Sequence, residues 1–408
     1  MPLIDRFLRP IVRRGTLTLS DQHGTRTFGE PEPGWPDVAI RFADRGVGRF
    51  IATRPRLGAA EAFMDGRLII DRGDIMDLVT LIRNNNRWED GGRLEDRGVL
   101  RRAAGDVAAR LDRYNWASRA KRNVAHHYDL DDRLYALFLD TDRQYSCAYY
   151  SDPANSLEQA QADKKAHIAA KLALRPGQRV LDIGCGWGGM ALYLHRVADV
   201  DVLGITLSEE QLKVARERAA AAGVADRVKF ELIDYRALTG RFDRIVSVGM
   251  FEHVGPPHYA RFFAKCRDLL ADDGVMLLHT IGRMGGPGTT DAFTAKYIFP
   301  GGYIPALSEI VAASEQTRLI CSDVETLRLH YAHTLRAWYS NTVDHRAEIE
   351  ALYDPRFFRL WTFYLAGAAT AFEGGGLCNY QLQYIRDRHA VPITRDYMIA
   401  AETELRKG

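Results

Sequence analysis

The chain has 408 residues, 46% hydrophobic and 26% charged, enough for a sizeable core and for about two to three domains. Its formal charge of +2, with no Lys/Arg run standing apart from compensating acids, gives no support for nucleic-acid binding. Five cysteines without a Cys-x-x-Cys pair argue against a disulfide framework and against a zinc or other metal site, and no stretch approaches the roughly 18 apolar residues of a membrane span.

Residues 3–12 set Leu3, Ile4, Phe7, Leu8, Ile11 and Val12 at helical spacing among Arg6, Arg9, Arg13 and Arg14. Such a basic amphipathic helix either lies in an anionic membrane interface or packs on its own domain. From Gly15 to about Gly58, alternation as in TLTLSDQHGTRTFG predicts short antiparallel strands, and GAAEAFMDGRLIIDRGDIMDLVTLI predicts helix, turn and second helix. Residues 84–120 lose apolar periodicity and read as a linker. The division expected is an N-terminal α+β domain with linker over 1–115, associated with lipid or membrane, and a catalytic domain over 116–408.

Val124, Tyr128, Leu134, Leu137 and Phe138 form a helix-like stripe, and LEQAQADKKAHIAAKLAL reads as a helix ended by Pro176-Gly177. Strand-like runs VLDI, VDVLGIT, VKFELID, DRIVSVGM and GVMLLHT then alternate with helical runs, as expected of a doubly wound α/β domain. Residues 284–316, rich in Gly, Pro and aromatics, read as a lid or pocket wall, and an apolar helix, PRFFRLWTFYLAGAATAF, precedes a last strand, CNYQLQYIRD.

The chain is organised around RVLDIGCGWGG, residues 179–189, where an apolar strand runs straight into four glycines. A dinucleotide site wants Gly-x-Gly-x-x-Gly and a phosphate loop wants a terminal Gly-Lys-Ser/Thr; this turn has neither, so a cofactor without phosphates is favoured. The run resembles the first motif of the S-adenosylmethionine-dependent methyltransferases, which implies a Rossmann-like class I sheet. After the second strand Thr206 stands where many relatives of that fold carry a ribose-binding acid, with Gln211 the nearest amide. Asp234 and Tyr235, after the third, are placed to meet the adenine.

Methyl transfer alone has no use for Cys147 in QYSCAYY, Glu252 in GMFEHVG, His279 in LLHTIG and Tyr331 in LHYAHTL, all on strand ends or adjoining loops. Together with YIFPGGYIP and HYAHTLRAWY, these motifs resemble, in order and from about Lys121 to the end, the cyclopropane fatty acid synthase family. GAAEAFMDGRL resembles the extra N-terminal domain of that family's phospholipid enzymes, which favours a membrane phospholipid substrate.

The resemblance implies methyl transfer from S-adenosylmethionine to a cis double bond of an acyl chain, with proton loss closing a three-membered ring. It implies bicarbonate as base, held by Cys147, Glu252, His279, Tyr331 and the backbone N–H of Ile281. It implies cofactor contacts at Tyr145, Ser146, Gly184, Cys185, Gly186, Thr206, Leu207 and Gln211. Cys378 falls on a family cysteine conceivable as a nucleophile, although proton loss needs no covalent enzyme intermediate. Tyr145, Tyr149 and Phe299 offer aromatic faces to the cation, each on the order of 1 to 2 kcal/mol. A homodimer, and a place in the cytoplasm at the inner face of the membrane, are the remaining expectations. The alternative on the same scaffold is a fatty acyl methyltransferase yielding a methyl-branched or hydroxylated chain.

Overall fold

The structure is a computed structural model that describes residues 2–92 and 131–407. Val124, Tyr128, the body of the expected linker and the domain boundary near residue 115 lie outside the described residues. The described chain falls into two compact units: 2–92, 291–298 and 332–377 make the first, and 131–290, 299–331 and 378–407 the second.

The first unit opens with α1 (Leu3–Ile11), β1 (Thr16–Asp21), β2 (Gly24–Phe28), β3 (Asp37–Phe42), α2 (Val47–Thr53), α3 (Gly58–Met64), β4 (Leu68–Arg72) and α4 (Ile75–Asn84). Its sheet runs β2-β1-β3-β4. Three expectations are corrected, the first being that Val47–Thr53, inside the stretch expected to be strands, is the helix α2. The strands are not all antiparallel, because PEPGWP carries the chain across β1 and β3 pairs with β1 in parallel. GRLIID is not a turn between helices: its β-branched pair Ile69-Ile70 completes the sheet as β4, antiparallel to β3.

Between the two readings of α1, the structure has the packed one. Ile4, Leu8 and Val12 are buried, and Asp5, also buried, accepts from Arg26 Nε at 3.0 Å, while Arg6 and Arg9 face outward.

In the second unit α5 (Asp132–Phe138) and α6 (Leu157–Leu172) precede a βα series: β5 (Arg179–Ile183), α7 (Gly189–Ala198), β6 (Asp201–Thr206), α8 (Glu209–Ala221), β7 (Val228–Leu232), β8 (Phe242–Val248), α9 (Tyr259–Leu269) and β9 (Leu270–Arg283). Beyond it come α10 (Leu307–Glu315), β10 (Ile320–Leu327), α11 (His330–Asp344), α12 (Arg346–Leu352), α13 (Pro355–Glu373), β11 (Leu377–Ile385) and α14 (Asp396–Leu405). Most of α11, with α12 and α13, belongs to the first unit, where α13 packs on α3 and α4.

The seven-stranded sheet is ordered β10-β11-β9-β8-β5-β6-β7. Period-two alternation sends Leu181 and Ile183 of β5 into one core and Val180 into the other, so the strand is covered on both faces. Helix α6 stops at Leu172 rather than at Pro176, because Ala173 turns left-handed at φ +48°. Within the expected lid, residues 307–315 form α10, whose Ile310 and Ala313 join the core beside α9; this stretch is a layer helix, not a lid.

If α1 is a packed element, Leu8→Ala will lower the stability of the first unit by about 2 to 5 kcal/mol, against at most about 0.5 kcal/mol for exposed Arg6→Ala. Denaturant unfolding of the full chain measures both; an equal effect of the two would mean the helix face is not buried.

Candidate active site

In the sheet order, β5 and β8 are neighbours from which the connections run to opposite edges, and ligands of such folds bind outside the carboxyl ends of strands at this switch point. A cavity lies there. Its wall includes all ten residues expected at the cofactor: Tyr145, Ser146, Gly184, Cys185, Gly186, Thr206, Leu207, Gln211, Asp234 and Tyr235.

The glycine turn is built by backbone conformation. Gly184 has φ +83°, and a Cβ there would stand 2.8 Å from Cβ of Met250; Gly186 has φ +54° and would meet nothing within 4 Å, so its backbone borders open space. The N–H groups of Gly184 and Cys185 both donate to Ile205 O, at 2.9 and 3.0 Å, which ties the turn to β6. At the end of β6, Thr206 donates to Gln211 Oε1 at 3.1 Å and accepts from the Ser208 N–H, a neutral arrangement in place of an acid. Burial works to raise the Asp234 pKa, but the Arg236 side chain and N–H outweigh it and keep the carboxylate ionised. Tyr235, its hydroxyl pushed up by burial, packs edge-on against Phe262.

Several cavity residues were not anticipated. Asp182 lies inside the glycine motif itself; burial pushes it up to about 7 and its Oδ2 has no partner, so a ligand group bearing N–H would satisfy it. Gln144 and Met250 also line the wall, as does His253, which the sequence places with Glu252 just past the fourth strand; His253 is held neutral, its pKa pushed down to about 4 by burial. Behind Ser146 and Gln144 the buried Lys164 donates to Ser146 Oγ and Gln144 Oε1, both at 2.8 Å, and burial lowers it to about 7. Its only sequence signal was its place on a helix whose other faces carry Ala, Ile and Leu.

The six residues expected to act on the substrate do not line this cavity, though Ser146, Met250 and His253, which do, are chain neighbours of Cys147 and Glu252. Glu252 follows β8 in a short 3-10 turn, and the Ile281 N–H donates to its Oε1 at 2.6 Å. Its Oε2 is buried without a hydrogen-bond partner among the described residues. Burial raises its pKa to about 6, against the pull of the Ile281 N–H and the nearby Thr280 hydroxyl.

His279 lies in the buried run of β9, with Gln381 Nε2 at 3.1 Å from Nδ1 and Asn379 Nδ2 at 3.3 Å from Nε2; burial lowers its pKa to about 3. The Cys147 thiol is buried, held up in pKa by burial and by nearby Cys378, and donates to Ala148 O at 3.3 Å. Burial likewise raises the Cys378 thiol, which bonds Tyr380, so neither sulfur is a ready nucleophile. Tyr331 is buried next to His330, whose Nδ1 accepts from the Tyr150 N–H at 2.9 Å.

The aromatic expectation is corrected in one place. Tyr149 is stacked against both His167 (4.0 Å) and His330 (4.9 Å), which leaves no face for a cation. Tyr145 lines the cavity, edge-on to Tyr135, and Phe299 packs edge-on against His253.

A doubly wound sheet with this glycine turn, and a cavity rather than a phosphate cradle at its switch point, defines a methyltransferase that uses S-adenosylmethionine. Comparisons with known proteins agree. The family described as mycolic acid cyclopropane synthetase matches residues 116–382. A cyclopropane-fatty-acyl-phospholipid synthase of Escherichia coli K12 is 41% identical over 330 residues, 81% of this chain and 83% of that one. A protein of Pseudomonas putida named probable fatty acid methyltransferase is 44% identical over 67% of this chain and 73% of its own. The crystal structure of the mycolic acid cyclopropane synthase CmaA1 complexed with SAH and CTAB superposes with a TM-score of 0.62 at 33% identity, covering 65% of this chain and 97% of that one. The chain belongs to the mycolic acid cyclopropane synthetase family.

Gly184→Ala forces a Cβ onto Met250 at a positive φ, and strain of about 1 to 3 kcal/mol is expected to weaken S-adenosylhomocysteine binding by about 5- to 150-fold. Titration calorimetry reads it; unchanged affinity would mean that the turn does not set the cofactor site.

Proposed function

We propose that this chain is a cyclopropane-fatty-acyl-phospholipid synthase (EC 2.1.1.79). The π electrons of a cis double bond in a phospholipid acyl chain form a bond to the methyl carbon of S-adenosylmethionine as its bond to sulfur breaks. The resulting cation then loses a proton from that methyl group, and the released pair closes the ring. An alkene is a weak nucleophile and the methylated cation a strong acid, so the site needs positioning, exclusion of water and an acceptor rather than a powerful base.

The observation that carries this reading is Glu252: a carboxylate out of water, pinned through one oxygen by Ile281, with the other oxygen buried and unused. That oxygen suits the hydroxyl of bicarbonate, so the anion fits on the acceptor side; the Tyr331 hydroxyl is the donor assigned to it, and the neutral Cys147 thiol joins it only by giving up its hydrogen bond to Ala148 O. Bicarbonate, when bound, supplies the proton acceptor. Ile281 acts on it through Glu252, since its own N–H is already engaged. Cys378, high in pKa, takes no covalent part.

The E. coli relative supports a phospholipid substrate, and in this reading the protein works as a peripheral, homodimeric protein at the cytoplasmic leaflet. Among the described residues no helix is long and apolar enough to cross a membrane. The name of the Pseudomonas relative supports a second reading, methyl transfer that ends in a branched chain.

Expressed in a host without ring-forming activity, the chain should convert unsaturated phospholipid acyl chains to cyclopropane chains. Mass spectrometry decides, because a ring and a methyl branch differ by two hydrogens, and branched product would establish the second reading.

Glu252→Gln should leave cofactor affinity within about threefold and lower kcat about 100-fold or more. Protonation of Glu252 removes the acceptor, so wild-type kcat/KM should fall as pH drops through about 6, and the variant should lack that limb. Equal loss of binding and turnover would make Glu252 structural.

A further inference from the structure

Alternation along β11 turns Asn379, Gln381 and Gln383 onto one face, and all three are buried although the strand lies inside the sheet between β9 and β10. Buried amides destabilise unless satisfied, and their partners are specific. Gln383 donates to the Lys171 carbonyl at 2.5 Å and to the Tyr397 hydroxyl at 2.7 Å, whereas Gln381 and Asn379 meet the two nitrogens of His279.

We infer that Lys171 and Gln381 are positioning residues that lock His279 as the neutral tautomer carrying its proton on Nε2. Lys171 sits in the last turn of α6, buried, and an ammonium has donors only. It bonds Glu325 and, at 2.8 Å, Oε1 of Gln381. That contact decides which way the amide lies: its oxygen is held on Lys171, so its NH2 end faces Nδ1 of His279. Nδ1 must therefore be the lone pair, and the single ring proton is on Nε2.

A doubly protonated ring would set an Nδ1–H against an NH2 group, and the amide cannot turn without pointing that NH2 at Lys171. Burial, with the positive charges of Lys164 and Lys171, pushes the ring toward neutrality as well. The Nε2–H in turn calls for an acceptor. Asn379, whose Oδ1 is buried and unpartnered as placed, satisfies both groups once its amide presents oxygen to the ring.

The consequence for catalysis rests on the ring-closing reading above: His279 donates a hydrogen bond and does not take the substrate proton, since Nε2 already holds one and Nδ1 is blocked. The tautomer itself does not depend on that reading.

The test is nitrogen-15 NMR of the full chain with labelled histidine, the His279 signals assigned by their loss in His279→Gln. A pyridine-type Nδ1 and a pyrrole-type Nε2, unchanged from neutral into mildly acidic pH, are expected. Gln381→Glu supplies an acceptor to Nδ1, so it should move the proton there and lower kcat about 10- to 100-fold with the KM for S-adenosylmethionine within about twofold. Lys171→Met frees the amide and should give a mixture of tautomers. A wild-type Nδ1–H signal, or a Gln381→Glu protein with unchanged tautomer and kcat, would overturn the proposal. Should either variant fail to fold, the wild-type spectrum alone decides. Absence of cyclopropane product would instead sink the functional reading and leave the tautomer standing.

Discussion

A carboxylate taken out of water keeps its charge only if the protein supplies donors, and at Glu252 the Ile281 N–H does this from the neighbouring strand. The register of two parallel strands sets the contact. Val248 of β8 lies opposite His279 of β9, and the Gly249 N–H continues the ladder to the His279 carbonyl at 3.0 Å. The short turn after β8 then delivers Glu252 to Ile281, two residues beyond His279. A slip of one residue would turn His279 to the other face of the sheet and leave the carboxylate without its donor. The chemistry therefore depends on the packing of β8 against β9 as much as on any side chain.

Around this ionisable group the site is kept neutral. His279 and His253 are lowered in pKa by burial, and the thiols of Cys147 and Cys378 are raised by it, so none carries charge near neutrality. Lys164 is the counterpart, a buried amine lowered by desolvation and supported by the charge of Asp140, holding the Ser146 and Gln144 wall of the cavity in place. A set of uncharged histidines and thiols, beside the ionised Asp234 and Arg236 of the cavity wall, suits a positively charged cofactor and a cationic chain. It neither quenches the electrophile with a nucleophile nor hydrates it.

The wall of the cavity at the switch point was legible because its signal is local. A strand, a glycine turn and the residues just past β6 and β7 are contiguous in sequence, and each strand end points at the switch point by topology alone. What escaped was encoded at long range. Lys171 meets Gln381 across 210 positions and Lys164 reaches back to Ser146 across 18, so on a helical wheel both resemble solvated lysines. Polar strands hid for the opposite reason: β10, exposed along most of its length, carries no apolar run, and β4 has too short a one to separate from its flanking helices. Tyr149 shows the limit of reading aromatics by proximity in sequence, because its faces are filled by histidines 18 and 181 residues away.

The fate of the cation divides members of such a scaffold, and the geometry bears on it. Hydroxylation needs water at the charged carbon, and the burial of Glu252, His279, Cys147 and Tyr331 supports the proposed ring closure over water capture. A hydride shift moves the charge along the chain and needs only time, whereas ring closure needs an acceptor beside the newly transferred methyl. The outcome then turns on how rigidly that acceptor is held. A carboxylate fixed by a backbone N–H, in a site whose histidine is locked by two amides and a lysine, would lose little entropy in holding the proposed bicarbonate in one orientation. In the ring-closing reading proposed above, rigidity of this kind is what shortens the lifetime of the cation and lets ring closure outrun migration.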